Sequence, residues 1–254
     1  MKTLKESGIL FLHYEKMLLR NPAWVLAALF QPVCYLYLFA PLLQKVTGVS
    51  SGGVSAINQF TPGLLVMVSL FGVMFVGFGM IDYLREGVIE RLRVTTASRV
   101  SLLLGMVLRD VVTLLVQTVL VIVLALPLGL SISLVGLLLT ILMMVLIGLC
   151  MAPVSYALAL TVKSEDALGP ILNFFSQPLL LLSGVLLPLT FAPVWLQNVS
   201  KFNPIKYVVD ASRAIFNGDM GNASVWQGFT MLAILVVLSF WWALRCMKRG
   251  PGGG

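Results

Sequence analysis

The chain has 254 residues, of which 59% are hydrophobic and 11% are charged, and its net charge is +7. Its mean hydropathy of +1.00 exceeds that of soluble globular domains, because so few polar side chains cannot cover a water-facing surface. The composition therefore excludes a soluble enzyme or a soluble binding domain, and it predicts an integral membrane protein.

Residues 1–21 predict an amphipathic helix that lies in the membrane interface. At 100° per residue, the lysines and the arginine gather on one face of this helix, and large apolar side chains gather on the opposite face. Asn21 and Pro22 are typical of a helix cap and of a first helical residue, so they predict the start of the first span. A plain surface anchor and a role in gating are both compatible with this pattern.

The long apolar runs that follow predict six transmembrane helices. About 20 apolar residues cross roughly 30 Å of hydrocarbon. Residues 111–162 carry no charge over a length sufficient for two spans, and PLGLSIS at 127–133 predicts the break between them. The predicted spans are about 23–42, 62–82, 107–127, 134–161, 169–187 and 226–245. We therefore expect an all-α polytopic domain over 22–248 and a disordered tail at 249–254, and no run shows the alternation of barrel strands.

The distribution of lysine and arginine predicts that both termini lie in the cytoplasm. If the N-terminus is inside, thirteen of these side chains fall on the cytoplasmic side and four on the outside. The net positive charge is then a topology signal, and it predicts no nucleic-acid partner. We expect a multi-pass protein of the plasma or inner membrane.

The cytoplasmic loop between the second and third spans, 83–106, holds an unusual concentration of charge. Within it, Val88, Ile89 and Leu92 form one apolar face of a short amphipathic helix, which predicts docking of a soluble partner at the membrane surface. A loop whose arginines only set the topology is the alternative. In the preceding span, Gly72, Gly77 and Gly79 predict close helix packing.

The fifth span is more polar than packing requires. A period of 3.6 residues places its small and polar side chains within about a third of the helix circumference. These residues are Asn173, Ser176, Gln177, Ser183 and Gly184. Intramembrane polar groups face the bundle interior or a water-filled cavity, so the pattern predicts a translocation pathway or a protomer interface. Interhelical hydrogen bonding that serves packing alone is the alternative.

The stretch at 189–225 is too apolar for a free external loop, and it predicts short helices that lie in or dip into the outer leaflet. Asn203 is typical of a helix cap and Pro204 of a first helical residue. Asp210 and Arg213 are spaced to form an ion pair on one helix face.

Several kinds of chemistry are excluded by missing motifs. No GxxxxGK[ST] segment occurs, so the chain is not predicted to hydrolyse nucleotide. The single histidine, His13, excludes an HExxH zinc site and makes a Ser-His dyad implausible. Asp82 and Asp110 are expected at span ends, paired with Arg85 and Arg109. We therefore predict no metal site, no bound cofactor and no enzymatic activity for this chain.

Two long segments resemble one transporter family. REGVIERLRVTTASRVSLLLGMVLRD (85–110) resembles the cytoplasmic loop of type-2 ABC exporter permeases of the daunorubicin-resistance-like group, with its Glu-Arg-Leu segment, Thr-rich turn and Ser-Arg pair. Residues 163–219 resemble the C-terminal signature of that family, with SGV followed by Pro, then Pro-x-Trp-Leu-Gln, then an Asn-Pro…Tyr…Asp-Ala-x-Arg block. With six spans and an amphipathic start, the resemblance covers essentially the whole chain.

The resemblance implies the permease subunit of an ATP-driven exporter. Two permease copies, identical or related, would pair with two separate ATPase subunits that bind ATP and Mg, and the second and fifth spans would line the central path. Contacts with the ATPase would come from Glu86, Glu90, Arg91, Arg93, Thr95, Thr96, Ser98 and Arg99, and from Glu165 and Asp166. The external gate would contain Trp195, Asn203, Pro204, Asp210 and Arg213.

The expected cargo is a hydrophobic or amphipathic compound such as a drug, an antibiotic or a lipid-like molecule, as in multidrug efflux. Export of a polysaccharide or glycolipid is an alternative within transport. A membrane scaffold that docks a cytosolic protein without transport is an alternative of a different class.

Overall fold

The computed structural model describes residues 30, 33–38, 56–87, 99–185 and 192–248, and these are almost entirely helical, without a strand. The helices with defined bounds are α1 (Ala56–Met74), α2 (Gly77–Arg85), α3 (Arg99–Ala125), α4 (Leu134–Val162), α5 (Glu165–Leu181), α6 (Val194–Ser200), α7 (Pro204–Phe216) and α8 (Ala223–Lys248). A 3-10 turn, Leu126–Leu128, follows α3. The predicted all-α class is confirmed for this part of the chain.

Four segments within the described ranges are long and apolar enough to cross a membrane. They are Ile57–Arg85, Val100–Leu128, Leu134–Val162 and Ala223–Met247. They correspond to the second, third, fourth and sixth predicted spans. The third starts at Val100 rather than near 107, so Asp110 lies well inside the span and not at its end, where it was expected. The first span, the helix at 1–21 and the tail at 249–254 fall outside the described residues.

The fifth predicted span differs from the helix that is present. The apolar pattern predicted 169–187, whereas α5 has 17 residues and stops at Leu181. A helix of that length spans about 25 Å, which is less than the hydrocarbon thickness of roughly 30 Å. The chain then turns, and Gly184 adopts a positive φ of 74° that glycine tolerates without steric cost. The prediction of a continuous helix through Ser183 and Gly184 is therefore wrong.

Contacts at the helix ends show how the bundle is tied together. At one end, Asn58 Nδ2 donates to the carbonyl and hydroxyl oxygens of Ser131 at 3.1 and 2.8 Å. The Ser131 amide donates back to Asn58 Oδ1 at 3.0 Å, so the start of α1 is fixed to the loop between α3 and α4. At the other end, Arg85 of α2 forms an ion pair with Glu165 of α5.

The two short helices predicted between the fifth and last spans are present as α6 and α7. Most of α7 is buried, including Val208, Val209 and Ala211. A Cβ atom added to Gly228 of α8 would lie 2.5 Å from the Cβ atom of Ala211, so the backbones of α7 and α8 are in direct contact. Helix α7 is therefore part of the bundle core and does not lie loosely over its surface.

Helices α1 and α2 belong to one span with an irregular turn at 75–76. Ser155 of α4 bridges this turn, because its Oγ atom donates to the Met74 carbonyl at 2.5 Å and accepts from the Gly77 amide at 2.8 Å. A Cβ atom at Gly77 would lie 2.7 Å from the Ser155 carbonyl oxygen, whereas one at Gly79 would meet no described residue within 4 Å. Within the described part of the chain, the close packing predicted from glycine is present at Gly77 and absent at Gly79.

We predict that Gly77→Ala destabilises the protein and that Gly79→Ala does not. The new methyl group at Gly77 must push α2 away from α4, and such overpacking costs about 1–3 kcal/mol. At Gly79 the methyl group meets none of the described residues, and alanine is the better helix former by roughly 0.5–1 kcal/mol. The measurement is the midpoint temperature of unfolding in detergent, followed by size-exclusion chromatography. Equal midpoints for the two variants would contradict this account of the α2–α4 contact.

Candidate translocation pathway and coupling contacts

The exposed face of α5 carries both amides and aromatic rings. Asn173 and Gln177 are exposed, and Phe174 and Phe175 between them are 73% and 55% exposed. Among the described residues, Asn173 Nδ2 donates only to the Gly169 carbonyl of its own helix, at 3.1 Å. Lipid offers no hydrogen bonds, so amides on the outside of a membrane helix need water or another protein surface beside them. This face of α5 is not one that lipid alone would cover favourably.

The remaining members of the predicted stripe lie elsewhere. Ser176 is buried, and its hydroxyl donates to the Asn173 carbonyl at 3.3 Å. Ser183 is fully buried beyond the end of the helix, where its hydroxyl donates to the Leu180 carbonyl at 2.6 Å. The structure therefore exposes Asn173 and Gln177 together, places Ser176 on the buried side of the same helix, and puts Ser183 and Gly184 beyond its end. The predicted single face assumed a helix that continued past Leu181.

Ser176 lies at a narrow apolar cleft between α1, α4 and α5. The lining residues are Leu70, Phe71, Met74, Met151, Ser176, Leu179 and Leu180. The cleft has room for about one water molecule, whereas pockets for drug-sized molecules enclose about 300–1,000 Å³. The cleft between the second span and α5 is therefore too small to hold a drug-sized substrate.

A largely buried ion pair and two tyrosines join α2, α3 and α4. Arg109 donates to Asp110 Oδ1 from Nε at 3.0 Å and from Nη2 at 2.7 Å. The same guanidinium donates to the hydroxyl groups of Tyr83 and Tyr156, both at 3.3 Å, and the Tyr156 hydroxyl donates to Asp110 Oδ2. The expected pairing of Arg109 with Asp110 is confirmed. The two tyrosines complete the cluster, so four helix-borne polar groups satisfy one another.

Sequence reasoning missed Tyr156 in this cluster, although a signal was present. It is the single tyrosine in the charge-free run 111–162. A tyrosine that is fully buried needs a partner for its hydroxyl group. The sequence alone does not identify that partner, because Lys163, Glu165 and Asp166 are closer to Tyr156 along the chain than Arg109 and Asp110 are.

At the same end of the bundle, the predicted contacts with a soluble partner are described in part. Glu86 is exposed at the end of α2, Arg99 begins α3, and Asp166 is exposed in the first turn of α5. Arg85 pairs with Glu165 and not with Asp82, which corrects the expected pairing. The other predicted contacts, Glu90, Arg91, Arg93, Thr95, Thr96 and Ser98, fall outside the described residues. The Arg85–Glu165 pair thus connects the two segments in which a partner was expected to dock.

At the opposite end, α7 holds the broken end of α5. Asn203 caps α7 as predicted, because its Oδ1 atom accepts from the Ile205 amide at 3.0 Å, and its Nδ2 atom donates to the Leu179 carbonyl at 2.6 Å. Arg213 Nη2 donates to the Gly184 and Val185 carbonyls at 2.7 and 3.2 Å. The Leu179, Gly184 and Val185 carbonyls lie at or beyond the end of α5, where no helical amide in the described part of the chain donates to them. Asn203 and Arg213 supply donors in place of those amides.

Two further predicted gate residues differ in their contacts. Pro204 is the first residue of α7, as expected. Trp195 is 65% exposed on α6. The expected ion pair between Asp210 and Arg213 does not form among the described residues, since the guanidinium is directed to the carbonyls after α5.

Burial affects both charges on α7. It raises the pKa of Asp210, and the positive charges of Lys206 and Arg213 oppose this rise. Burial also lowers the pKa of Arg213, and the Asp210 carboxylate opposes this change. For both groups the cost of losing water is larger than the compensation from the opposite charges. The two ions are therefore close enough to influence each other without being paired.

The fold and these contacts define a helical, multi-pass membrane protein with interrupted spans. Residues 13–217 match the family of ABC-2 type transporters, and this match covers most of the chain. The chain belongs to that family, and it is a membrane permease.

The similar proteins agree with this assignment. A protein named as a transport permease, ycf38, from Cyanophora paradoxa is 27% identical over 201 residues, which make up 78% of this chain and 69% of that protein. Its namesake from Porphyra purpurea is 26% identical with the same coverage. A protein named as a multidrug ABC transporter permease, YbhR, from Escherichia coli (strain K12) is 36% identical over 61 residues, or 24% of this chain and 17% of that protein. The multidrug name therefore relates to about a quarter of the chain.

We predict that Asp110→Asn destabilises the protein more than the double change Arg109→Gln/Asp110→Asn. Removing one partner leaves a buried charge without compensation, which costs about 3–5 kcal/mol, whereas removing both charges removes that penalty. A double-mutant cycle on midpoint temperatures in detergent measures the coupling. Additive effects of the two single changes would show that the ion pair contributes nothing to the bundle.

Proposed function

We propose that this chain is the permease subunit of an ATP-driven exporter of hydrophobic or amphipathic compounds, within the daunorubicin-resistance-like group. Family membership supports a permease, and the exposed face of α5 is the observation that carries the cargo class. Two permease copies, identical or related, would assemble with two separate ATPase subunits. ATP and Mg would bind to those subunits, and this chain would hold no cofactor and catalyse no reaction.

The proposed path runs along the exposed face of α5, between the two permease copies. Phe174 and Phe175 offer apolar surface, and Asn173 and Gln177 offer hydrogen bonds to the polar parts of a bound molecule. A mixed surface of this kind suits amphipathic compounds, because both parts of the molecule find partners. A second copy facing α5 would also remove the exposed amides from lipid.

The proposed coupling to ATP uses the cytoplasmic end of the bundle. Residues 86–98 would seat in a cleft of the ATPase, and Glu165 and Asp166 would form a smaller contact. The Arg85–Glu165 ion pair supports joint movement of the two segments. ATP must favour one arrangement of the ATPase pair, since a ligand shifts an equilibrium only by its difference in affinity for the two states. In this proposal, both termini of the chain would lie in the cytoplasm.

The proposed outer gate consists of α6 and α7, with Trp195, Asn203, Pro204, Asp210 and Arg213. Export of a polysaccharide or glycolipid is the alternative within transport. It would favour more aromatic residues than Phe174 and Phe175 along a wide channel. A scaffold without transport activity explains the cytoplasmic loop but gives no role to the exposed amides of α5.

We predict that a soluble ATPase co-purifies with this chain from native membranes in mild detergent, and that Arg91→Glu/Arg93→Glu abolishes its retention. The charge reversal removes the cations at the centre of the proposed contact. The matched control is Lys201→Glu/Lys206→Glu, which changes charge equally at the opposite end of the bundle and should retain the ATPase. Quantitative mass spectrometry of the purified complex gives the ratio. Absence of an ATPase after crosslinking of the unaltered protein would contradict the exporter.

We predict that Asn173→Leu/Gln177→Leu alters transport, either by lowering its rate several-fold or by shifting its selectivity toward less polar compounds. The control Gln227→Leu/Thr230→Leu removes two exposed polar side chains from α8 at similar spacing, and it should transport normally. Efflux of a panel of fluorescent amphipathic dyes from vesicles measures both properties. Unchanged efflux of every dye by the α5 variant would leave packing as the role of these amides.

A further inference from the structure

The contact between α7 and the chain after α5 joins two sequence motifs that the family resemblance singled out separately. The SGV motif is Ser183–Val185, and the Asp-Ala-x-Arg block is Asp210–Arg213. In the structure, Arg213 Nη2 donates to the Gly184 and Val185 carbonyls at 2.7 and 3.2 Å. The first motif therefore supplies the acceptors and the second supplies the donor. We call Ser183–Val185 the SGV turn.

The SGV turn is also packed tightly against α1. A Cβ atom added to Gly63 would lie 2.6 Å from the Val185 carbonyl oxygen, so only glycine at this position permits the contact. The Val185 carbonyl thus lies between Gly63 of α1 and Arg213 of α7. Any movement of the turn changes its contact with both helices, one of which belongs to the second span.

Arg213 is held in this arrangement with an incomplete set of partners. Its Nε atom is buried and has no hydrogen-bond partner among the described residues. Asp210 lies three residues earlier on α7, where side chains are neighbours on the helix surface, and its carboxylate forms no ion pair in the described part of the chain. A carboxylate can accept from the Nε and Nη atoms of one guanidinium simultaneously. A second arrangement of Arg213, paired with Asp210, would therefore satisfy both groups.

We propose that Arg213 exchanges between the SGV turn and Asp210, and that this exchange holds or releases the outer end of α5. In the structure the turn is held. When Arg213 turns to Asp210, the Gly184 and Val185 carbonyls lose their donor and the turn separates from α7, while Asn203 keeps its bond to Leu179. Arg213 is thus a positioning residue that acts on the path through α5. The link between this release and export rests on the proposed function.

The exchange can be measured by labelling a cysteine in the turn. Ser183 is fully buried, so Ser183→Cys, in a chain whose three native cysteines are replaced by alanine, should react only when the turn is released. The full-length protein in membranes is treated with a charged methanethiosulfonate, and the labelling rate is followed by mass spectrometry. Ser200→Cys in the same background is the control, because Ser200 is equally buried but lies on α6.

Without nucleotide, Arg213→Gln should raise the labelling rate at position 183 about tenfold, the effect of losing one charge-assisted hydrogen bond. Asp210→Asn should lower the rate about two- to threefold, because the competing partner of Arg213 is weakened. Neither change should affect the cysteine at position 200. An unchanged rate for Arg213→Gln, or a raised rate for Asp210→Asn, would overturn the exchange.

Because the two variants are expected to change the labelling rate in opposite directions, misfolding cannot produce both results. If Arg213→Gln fails to fold, Asp210→Asn decides alone, since a damaged fold exposes the turn and cannot slow its labelling. Addition of ATP to membranes that contain the co-purifying ATPase then tests the exporter. Faster labelling of Ser183→Cys, in a chain that keeps Arg213 and Asp210, supports release during transport. No effect of ATP would contradict the proposed function, while the comparison without nucleotide still judges the exchange.

Discussion

Lipid supplies no hydrogen bonds, so the backbone of a membrane helix can be interrupted only where the protein itself provides partners for the freed groups. This constraint governs both interruptions in the described bundle. In the second span, the Ser155 hydroxyl donates to the Met74 carbonyl and accepts from the Gly77 amide. At the end of α5, Asn203 donates to the Leu179 carbonyl and Arg213 donates to the Gly184 carbonyl. Helix α7 is consequently buried, because its side chains must reach the broken end of a neighbouring helix.

The spans were predictable where length and hydrophobicity decide the structure, as in the four that the structure confirms. The end of α5 was not predictable, because residues 182–187 are as apolar as the helix before them. Helix α5 ends there because α7, which follows later in the sequence, supplies donors that stabilise a turn at Gly184. For the same reason, the exposed pair Asn173 and Gln177 was predictable from helical period, whereas the separation of Ser183 and Gly184 from them was not.

Pairing of charges was predictable only between adjacent residues. Arg109 and Asp110 pair as expected, but Arg85 reaches Glu165 across the bundle and not Asp82 on its own helix. The i,i+3 spacing of Asp210 and Arg213 permits a pair on an isolated helix, where water surrounds both groups. In the bundle, unpaired carbonyls compete for the guanidinium, and this competition depends on tertiary contacts that local spacing does not reveal.

Arg109 and Arg213 are both partly buried, but their charges are compensated in different ways. Arg109 binds a carboxylate and two tyrosine hydroxyl groups, and Tyr156 closes the cluster by donating to Asp110, so no better arrangement is available to it. Removal of any member leaves a charge or a hydroxyl without a partner, which opposes movement of the helices that carry them. Arg213 has neutral acceptors, an Nε atom without a partner among the described residues, and a carboxylate one turn away. The first cluster therefore fixes α2, α3 and α4 against one another, whereas the second leaves α5 and α7 with a competing arrangement of similar chemistry.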